Sequence, residues 1–269
     1  MCRLLAYLGT PIPLEKLLYQ PAHSLVVQSY QPQEMTSGLL NADGFGVGWY
    51  HPQRQTEPFT YKNILPLWND INLPSLSRYV EAGCVLANVR SATPGLSIDL
   101  SNCQPFQRGL TLGIHNGFIE NFRHSLYRPI RERLSDRAYL TINGNTDSEH
   151  LFALILDEMD ANPDLPLQTA LLRALTTLLE LAEKYQVSVS ANVIISDGQQ
   201  LVASRLANRP NPPTLYWLQD HPDFPAAVLV ASEPLFPGNW NACPESSLLT
   251  VSHDLDIQIH SFPTTVSAR

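Results

Sequence analysis

Positive charge is scarce in this 269-residue chain, with 17 Lys and Arg against 25 Asp and Glu and a formal net charge of −8. No basic stripe of the kind a phosphate backbone demands can be built from so few cations, so nucleic acid is not an expected partner. Long apolar runs are missing as well. Leu4 to Leu8 is far shorter than the hydrophobic region of a secretory signal. No later segment reaches the roughly 18 apolar residues of a membrane span, so no membrane is expected and the expected location is cytoplasmic. Cysteine is limited to positions 2, 84, 103 and 243, with no CxxC pair. That excludes a disulfide framework and a zinc site, and neither a metal nor a cofactor is expected. Cys84, inside Gly83-Cys-Val-Leu-Ala-Asn-Val89, reads as a buried strand thiol, and Cys243 as an equally inert one. The glycines of 44–48 lack both the Lys-Ser/Thr ending of a phosphate loop and dinucleotide-site spacing, which argues against nucleotide binding. Repeats, low-complexity blocks and Gly/Ser linkers are absent, and the 22 prolines are spread along the chain. One domain over residues 1–269 is expected.

What is present is apolar surface enough for a large core, 44% of all residues. Short apolar or aromatic runs bounded by Gly and Pro predict strands at Arg3–Leu8, Phe45–Tyr50, Phe59–Ile64, Val85–Arg90 and Leu110–His115. Two helices follow. Asp147–Asp160 opens on the cap-type residues Asn145-Thr-Asp-Ser-Glu149, and Leu167–Tyr185 carries Leu171, Ala174, Leu175, Leu178 and Ala182 at helical spacing. Strands return at Val189–Ile195 and Gln200–Ser204, around the hairpin signal Asp197-Gly198, and at Val228–Ala231, Leu248–Val251 and Ile257–His260. This order is α+β. Two stacked sheets with helices outside is one layout that closes it, among others.

Cys2 is the most informative residue. Once Met1 is removed it carries a thiol, with an ordinary pKa near ~8.5, and a free α-amine near ~7.7–8.0, so nucleophile and base share one residue. Four later stretches supply what such a pair needs to open an amide. Arg90, ending an apolar strand, is either a surface cation or a guanidinium fork for a carboxylate. Asp147 is either a helix N-terminal residue favoured by the dipole or an anion for a substrate ammonium. His115-Asn116-Gly117 reads as an Asn-Gly turn or, chemically, as two donors for a developing oxyanion. Together these residues fit a γ-glutamyl group, with its carboxylate at Arg90, its ammonium at Asp147 and its carbonyl at the thiolate.

In order and spacing, Met1-Cys2-Arg3, Arg90-Ser-Ala-Thr93, His115-Asn116-Gly117 and Thr146-Asp147-Ser148 resemble the motifs of class II glutamine amidotransferases, N-terminal-nucleophile hydrolases with a catalytic N-terminal cysteine. The resemblance implies a four-layer αββα sandwich. It also implies Cys2 as nucleophile, Asn116 and Gly117 as the oxyanion hole, and Arg90, Thr93 and Asp147 as binders of the glutamate moiety. Leu25-Val-Val-Gln-Ser-Tyr30, Gly38-Leu-Leu-Asn-Ala-Asp-Gly44, Pro66-Leu-Trp68 and Ala231-Ser-Glu-Pro234 are similar to the branch of this family in the ergothioneine pathway, which stands alone without a synthase domain. That branch hydrolyses γ-glutamyl-hercynylcysteine S-oxide. Pro94 and Gln104 occupy places where other branches carry histidine, which favours a γ-glutamyl substrate other than glutamine. The expected partner is thus a small γ-glutamyl molecule, and its trimethylammonium would call for an aromatic surface, with Tyr30, Phe45, Trp49 and Trp68 as candidates. Three alternatives stand beside this reading: a glutaminase subunit feeding a separate synthase, a γ-glutamyl peptidase acting on glutathione-like thiols, and an inactive binding module that keeps Met1.

Overall fold

Alternation along the strands decides how this chain layers. In the computed structural model, which describes residues 2–35, 38–51, 56–92 and 98–262, the first strand β1 (Arg3–Pro13) is buried on both faces over its first six residues. A strand covered on both sides reads as a continuous apolar run, as this one does. It is followed by the short helices α1 (Glu15–Leu18) and α2 (Leu25–Tyr30), then β2 (Phe45–Trp49), β3 (Phe59–Asn63), α3 (Leu73–Tyr79) and β4 (Glu81–Val89). Next come β5 (Phe106–Arg108), β6 (Thr111–Ile119) and a block of helices, α4 (Tyr127–Arg133), α5 (Asp136–Tyr139), α6 (Asp147–Ala161) and α7 (Leu167–Tyr185). The chain ends in strands again: β7 (Val189–Ser196), β8 (Leu201–Ala207), β9 (Tyr216–His221), β10 (Phe224–Ala231), β11 (Asn241–Ala242), β12 (Ser247–Val251) and β13 (Ile257–Ser261).

The strands form two antiparallel sheets, ordered β11-β9-β10-β1-β4-β2-β3 and β13-β12-β8-β7-β6-β5. Even-numbered residues of β1, β4 and β6, among them Leu4, Leu86, Leu112 and Ile114, meet Ile194 and Val230 between the sheets. The opposite face of the first sheet, with Leu5, Val47 and Val85, is covered by Leu17, Leu25 and Leu73 of α1 to α3. The opposite face of the second, with Val193, Ile195 and Val202, is covered by Ile130 of α4 and by Leu151, Ile155, Leu171 and Leu175 of α6 and α7. Helices, sheet, sheet and helices make the four-layer αββα sandwich of N-terminal-nucleophile hydrolases.

Local chemistry accounts for the boundaries. Thr146 caps α6 by accepting from the Glu149 N–H at 3.2 Å, and the Glu149 carboxylate reaches back to the N–H groups of Asn143 and Gly144 at 2.8 and 2.7 Å. The Asp197-Gly198 hairpin forms as expected, with Ser196 opposite Leu201 and Gly198 at φ +93°. Three features differ from the sequence reading. The first half contains helices of four to seven residues, too short to display an apolar period. The strands β5 and β11, three and two residues long, were equally invisible, as was the longer β9. Finally, His115-Asn116-Gly117 is no turn: β6 continues through it to Ile119 and pairs with β7 from Leu112 to Ile119.

Because Ile114 lies fully inside the layer between the sheets, Ile114→Ala is expected to lower unfolding free energy by about 2–5 kcal/mol in urea titrations. Tyr79→Ala, at a residue 92% exposed, should stay within about 0.5 kcal/mol of wild type.

Candidate active site

Residue 2 is held by residue 3. Arg3 is completely buried; its Nε donates to the Cys2 carbonyl at 2.7 Å and its Nη1 to Glu233 Oε1 at 2.6 Å. The same carboxylate receives His23 Nε2 at 2.7 Å and the backbone N–H groups of Gln33 and Glu34 at 2.8 and 3.0 Å. Burial alone would raise the Glu233 carboxyl, but these donors outweigh it and hold the group down at about 2. Leu4 is tied in turn to Ser232, N–H to Oγ at 2.9 Å. The start of the chain is therefore clamped by a segment 230 residues away.

Register brings the nucleophile to the arginine. Arg3 pairs with Val89 and Leu4 with Asn88, so the next step of the ladder sets Cys2 beside Arg90. Arg90 is buried rather than on the surface, 4% exposed, and its Nη1 donates to the Asp43 carbonyl at 3.2 Å. Asp43 accepts the Ala92 N–H at 2.8 Å, which ties down the residues just after β4. Across the sandwich, alternation carries the inward face of β6 from Leu112 and Ile114 to Asn116, which is fully buried with neither side-chain atom hydrogen-bonded among the described residues. At this end the apolar layer gives way to amides. At the other end of the same strands a cavity of about 700 Å³ opens between Leu8, Cys84 and the Asp197-Gly198 turn, away from Cys2.

The neighbours of Asn116 leave no room for change. A Cβ on Gly117 would run into the Ser190 carbonyl and the His115 ring. His115 is buried with Nδ1 2.8 Å from the Ser148 hydroxyl and Nε2 3.3 Å from the Ser190 carbonyl, and burial lowers its pKa, which favours the neutral ring. Asp147 opens α6 and ties it to β6: its Oδ2 accepts the Ile119 N–H at 2.8 Å and its Oδ1 the Ser148 N–H at the same distance. One turn on, His150 Nε2 accepts from Arg131 Nε at 2.8 Å, which leaves Nδ1 as the donor to the Thr146 carbonyl at 2.7 Å.

Gln104 stands where other branches carry histidine. Its amide accepts the His115 N–H and donates to the His115 carbonyl at 3.1 Å, so that a side chain extends the β5 ladder along β6. A Cβ on Gly46 would strike the Gln104 carbonyl, so the glycine lets this segment close the sandwich edge. Cys103 lies in the same neighbourhood; burial pushes its thiol up against the pull of Arg90 and Lys62, and Cys2 acts on it too. Cys84 and Cys243 are buried and both pushed up to about 12, as inert thiols should be, whereas Cys2 is half-exposed. Among the described residues no group of acidic, histidine or cysteine side chains could hold a metal. Of the aromatic candidates, Phe45 is core and Trp49 packs on Phe59 at 5.0 Å. Tyr30 and Trp68 form an edge-on pair, 45% and 37% exposed. Thr93 lies outside the described residues.

Comparison with known proteins supplies the family. The pattern of class-II glutamine amidotransferases matches residues 19–233, which include Arg90, Asn116, Gly117 and Asp147 and begin after Cys2. The chain belongs to that family. It is 31% identical to the gamma-glutamyl-hercynylcysteine sulfoxide hydrolase of Mycolicibacterium smegmatis over 93% of this chain and 96% of that protein. It is equally 31% identical to the probable glutamine amidotransferase DUG3 of Saccharomyces cerevisiae, over 93% of this chain and 82% of that protein. A class-II glutamine aminotransferase domain protein from Silicibacter pomeroyi superposes with a TM-score of 0.70 at 26% identity, covering 97% of this chain and 99% of that one. The glutamine phosphoribosylpyrophosphate amidotransferase of B. subtilis shares the fold, with a TM-score of 0.67 at 16% identity over 98% of this chain and half of that one. The class-II amidotransferase is thus a hydrolase of carbon–nitrogen amide bonds.

Acid should loosen the frame around the site. His150 is lowered by burial from 6.5 to about 4, so the unfolded chain takes up its proton first as pH falls, and folding loses roughly 3 kcal/mol between those values. Glu233, lowered from 4.5 to about 2, extends the loss to lower pH because its stabilisation is present above 4.5 and disappears toward 2. Urea midpoints measured from pH 7 down to 3 should fall throughout, and Glu233→Gln should flatten the part below 4.5; a pH-independent midpoint would contradict both assignments.

Proposed function

We propose that this enzyme hydrolyses a γ-glutamyl amide through a thioester on Cys2, with γ-glutamyl-hercynylcysteine S-oxide as substrate in ergothioneine biosynthesis. The observation that carries the reading is the convergence on one end of the sandwich: Cys2 beside the buried Arg90, with Asn116 opposite and Asp147 anchored just beyond Gly117. Arg90 receives the α-carboxylate of the glutamyl group and Asp147 its ammonium, and Thr93 contributes to the same grip.

With Met1 removed, the α-amine of Cys2 takes the thiol proton through water. The thiolate sulfur bonds to the γ-carbonyl carbon, and the charge moving onto oxygen is stabilised by the Asn116 carboxamide and the Gly117 N–H. Collapse of this intermediate breaks the carbon–nitrogen bond, and the leaving amine takes the proton back from the amine of Cys2. Water then adds to the thioester, the sulfur leaves and is reprotonated, and glutamate is released. Similarity to the hercynylcysteine sulfoxide hydrolase supports the choice of leaving group. So does the exposed Tyr30–Trp68 pair, an aromatic surface for a trimethylammonium. The equal similarity to a probable glutamine amidotransferase keeps glutamine as the second reading.

The test is a mass-spectrometric assay of the purified protein on a panel of γ-glutamyl compounds that includes the sulfoxide, glutamine and glutathione. The sulfoxide is expected to give the highest kcat/KM; preference for glutamine or glutathione would replace the substrate assignment. Intact mass should read a chain without Met1. Cys2→Ala should abolish turnover while retaining substrate binding, and Asn116→Ala should lower kcat by about 10²–10³ without unfolding. Wild-type turnover in Cys2→Ala would overturn the mechanism.

A further inference from the structure

A second asparagine shares the inner wall of the site. Asn88 is two residues before Arg90 on β4, fully buried, and neither its Nδ2 nor its Oδ1 has a hydrogen-bond partner among the described residues. A buried amide left wholly unpaired is destabilising, so native structures rarely keep one without a use. Its position is fixed by the ladder: Leu4 and Gly46 flank it on either side, and Cys2 is its diagonal neighbour across the β1–β4 pair. It follows Leu86 on the inward face just as Asn116 follows Ile114, and Leu86 and Ile114 belong to one cluster between the sheets. The two carboxamides therefore each lie one inward position beyond the same apolar layer between the sheets.

The neighbouring polar groups narrow the role. Asn116 is also unpaired at both atoms, so its Oδ1 lacks a donor that would fix which way the amide points. Asn192, its register partner on β7, cannot supply one, because its Nδ2 already donates to the carbonyls of Pro213 and Thr214 at 3.0 Å each. Asn192 offers only its free Oδ1, an acceptor, and Gln104 has both amide atoms on the His115 backbone. The Ser190 hydroxyl, also unpaired, is two rungs further along β7 than Asn192, opposite Phe118. Asn88 carries a free amide donor on the facing sheet.

We propose that Asn88 is a positioning residue for the oxyanion hole: its Nδ2 donates through one bridging water to Asn116 Oδ1, and so turns Asn116 Nδ2 toward the reacting carbonyl. This rests on the reading of Asn116 as an oxyanion donor. The amide pair costs folding free energy and gives catalysis its orientation, the usual exchange between stability and activity.

The experiment compares Asn88→Leu, Asn88→Ala, Asn116→Ala and the double variant Asn88→Leu/Asn116→Ala on the best γ-glutamyl substrate. Asn88→Leu replaces an unpaired amide with an apolar group of the same branching, so its urea midpoint should be unchanged or raised, whereas kcat should drop by about 10²-fold with KM nearly constant. Asn88→Ala should show the same division between kcat and KM, which keeps the test intact if leucine does not fit. Acting through Asn116, the Asn88 change should have little further effect in the Asn116→Ala background. If Asn116→Ala is crippled but Asn88→Leu and Asn88→Ala keep wild-type kcat, or if the Asn88 effect persists undiminished in the double variant, the proposal fails alone. If Asn116→Ala is itself fully active, the oxyanion assignment fails first.

Discussion

The buried pair between Arg3 and Glu233 is the constraint on which the site depends. Terminal segments fray unless something ties them down, and residue 2 is tied from within the fold. Here the tie is the residue next to the nucleophile: Arg3 joins the Cys2 carbonyl to a carboxylate that already has three other donors. Removing one partner of such a pair typically costs about 3–5 kcal/mol, because the other charge is left buried without compensation. The same carboxylate gathers His23 and the 33–34 backbone, so the clamp and the loop beside it form one unit.

Much of this was legible in the sequence, for a physical reason. Long strands and helices announce themselves by period, which is why α7 runs from Leu167 to Tyr185 as read and why β1, β7 and β10 lie where their apolar runs are. Chemistry-bearing residues cluster in short motifs, so Cys2, Arg90, Asn116 and Asp147 could be singled out from residue type and order alone. Long-range pairing is what one sequence cannot display. In the sequence Glu233 belongs to Ala231-Ser-Glu-Pro234, a stretch that carries a family resemblance, and nothing local marks it as the counter-ion of Arg3 across 230 positions. Gln104 differed from a common histidine, but only the backbone geometry of β6 explains why a carboxamide fits: it offers one donor and one acceptor side by side, as a peptide group does. The Asn-Gly pair was ambiguous by composition, and pairing with β7 decided for strand.

Behind the site, burial keeps titratable groups silent. His115 and His150 are both lowered by burial, and each is locked into one hydrogen-bonding role by a serine or threonine and a neighbouring element. The Cys84, Cys103 and Cys243 thiols are raised by the same effect, so the accessible sulfur belongs to Cys2. The apolar body of the sandwich thus separates reactive from unreactive copies of the same functional groups without any change in their chemistry.

That separation also explains why the site sits where the sheets part. Antiparallel strands of fixed alternation deliver every second side chain to the space between the sheets, and as long as those side chains are Leu, Ile and Val the space is a dry core. Changing the last inward positions to Asn88, Arg90, Asn116 and Asn192 converts the end of that core into a low-dielectric polar wall without altering the register that holds it. Amide and guanidinium groups fixed on sheet strands need no reorganisation when charge develops opposite them, which is where electrostatic catalysis gains most. The sandwich therefore stabilises its own reactive end by rigidity, and the unpaired amides there keep donors and acceptors free for the chemistry.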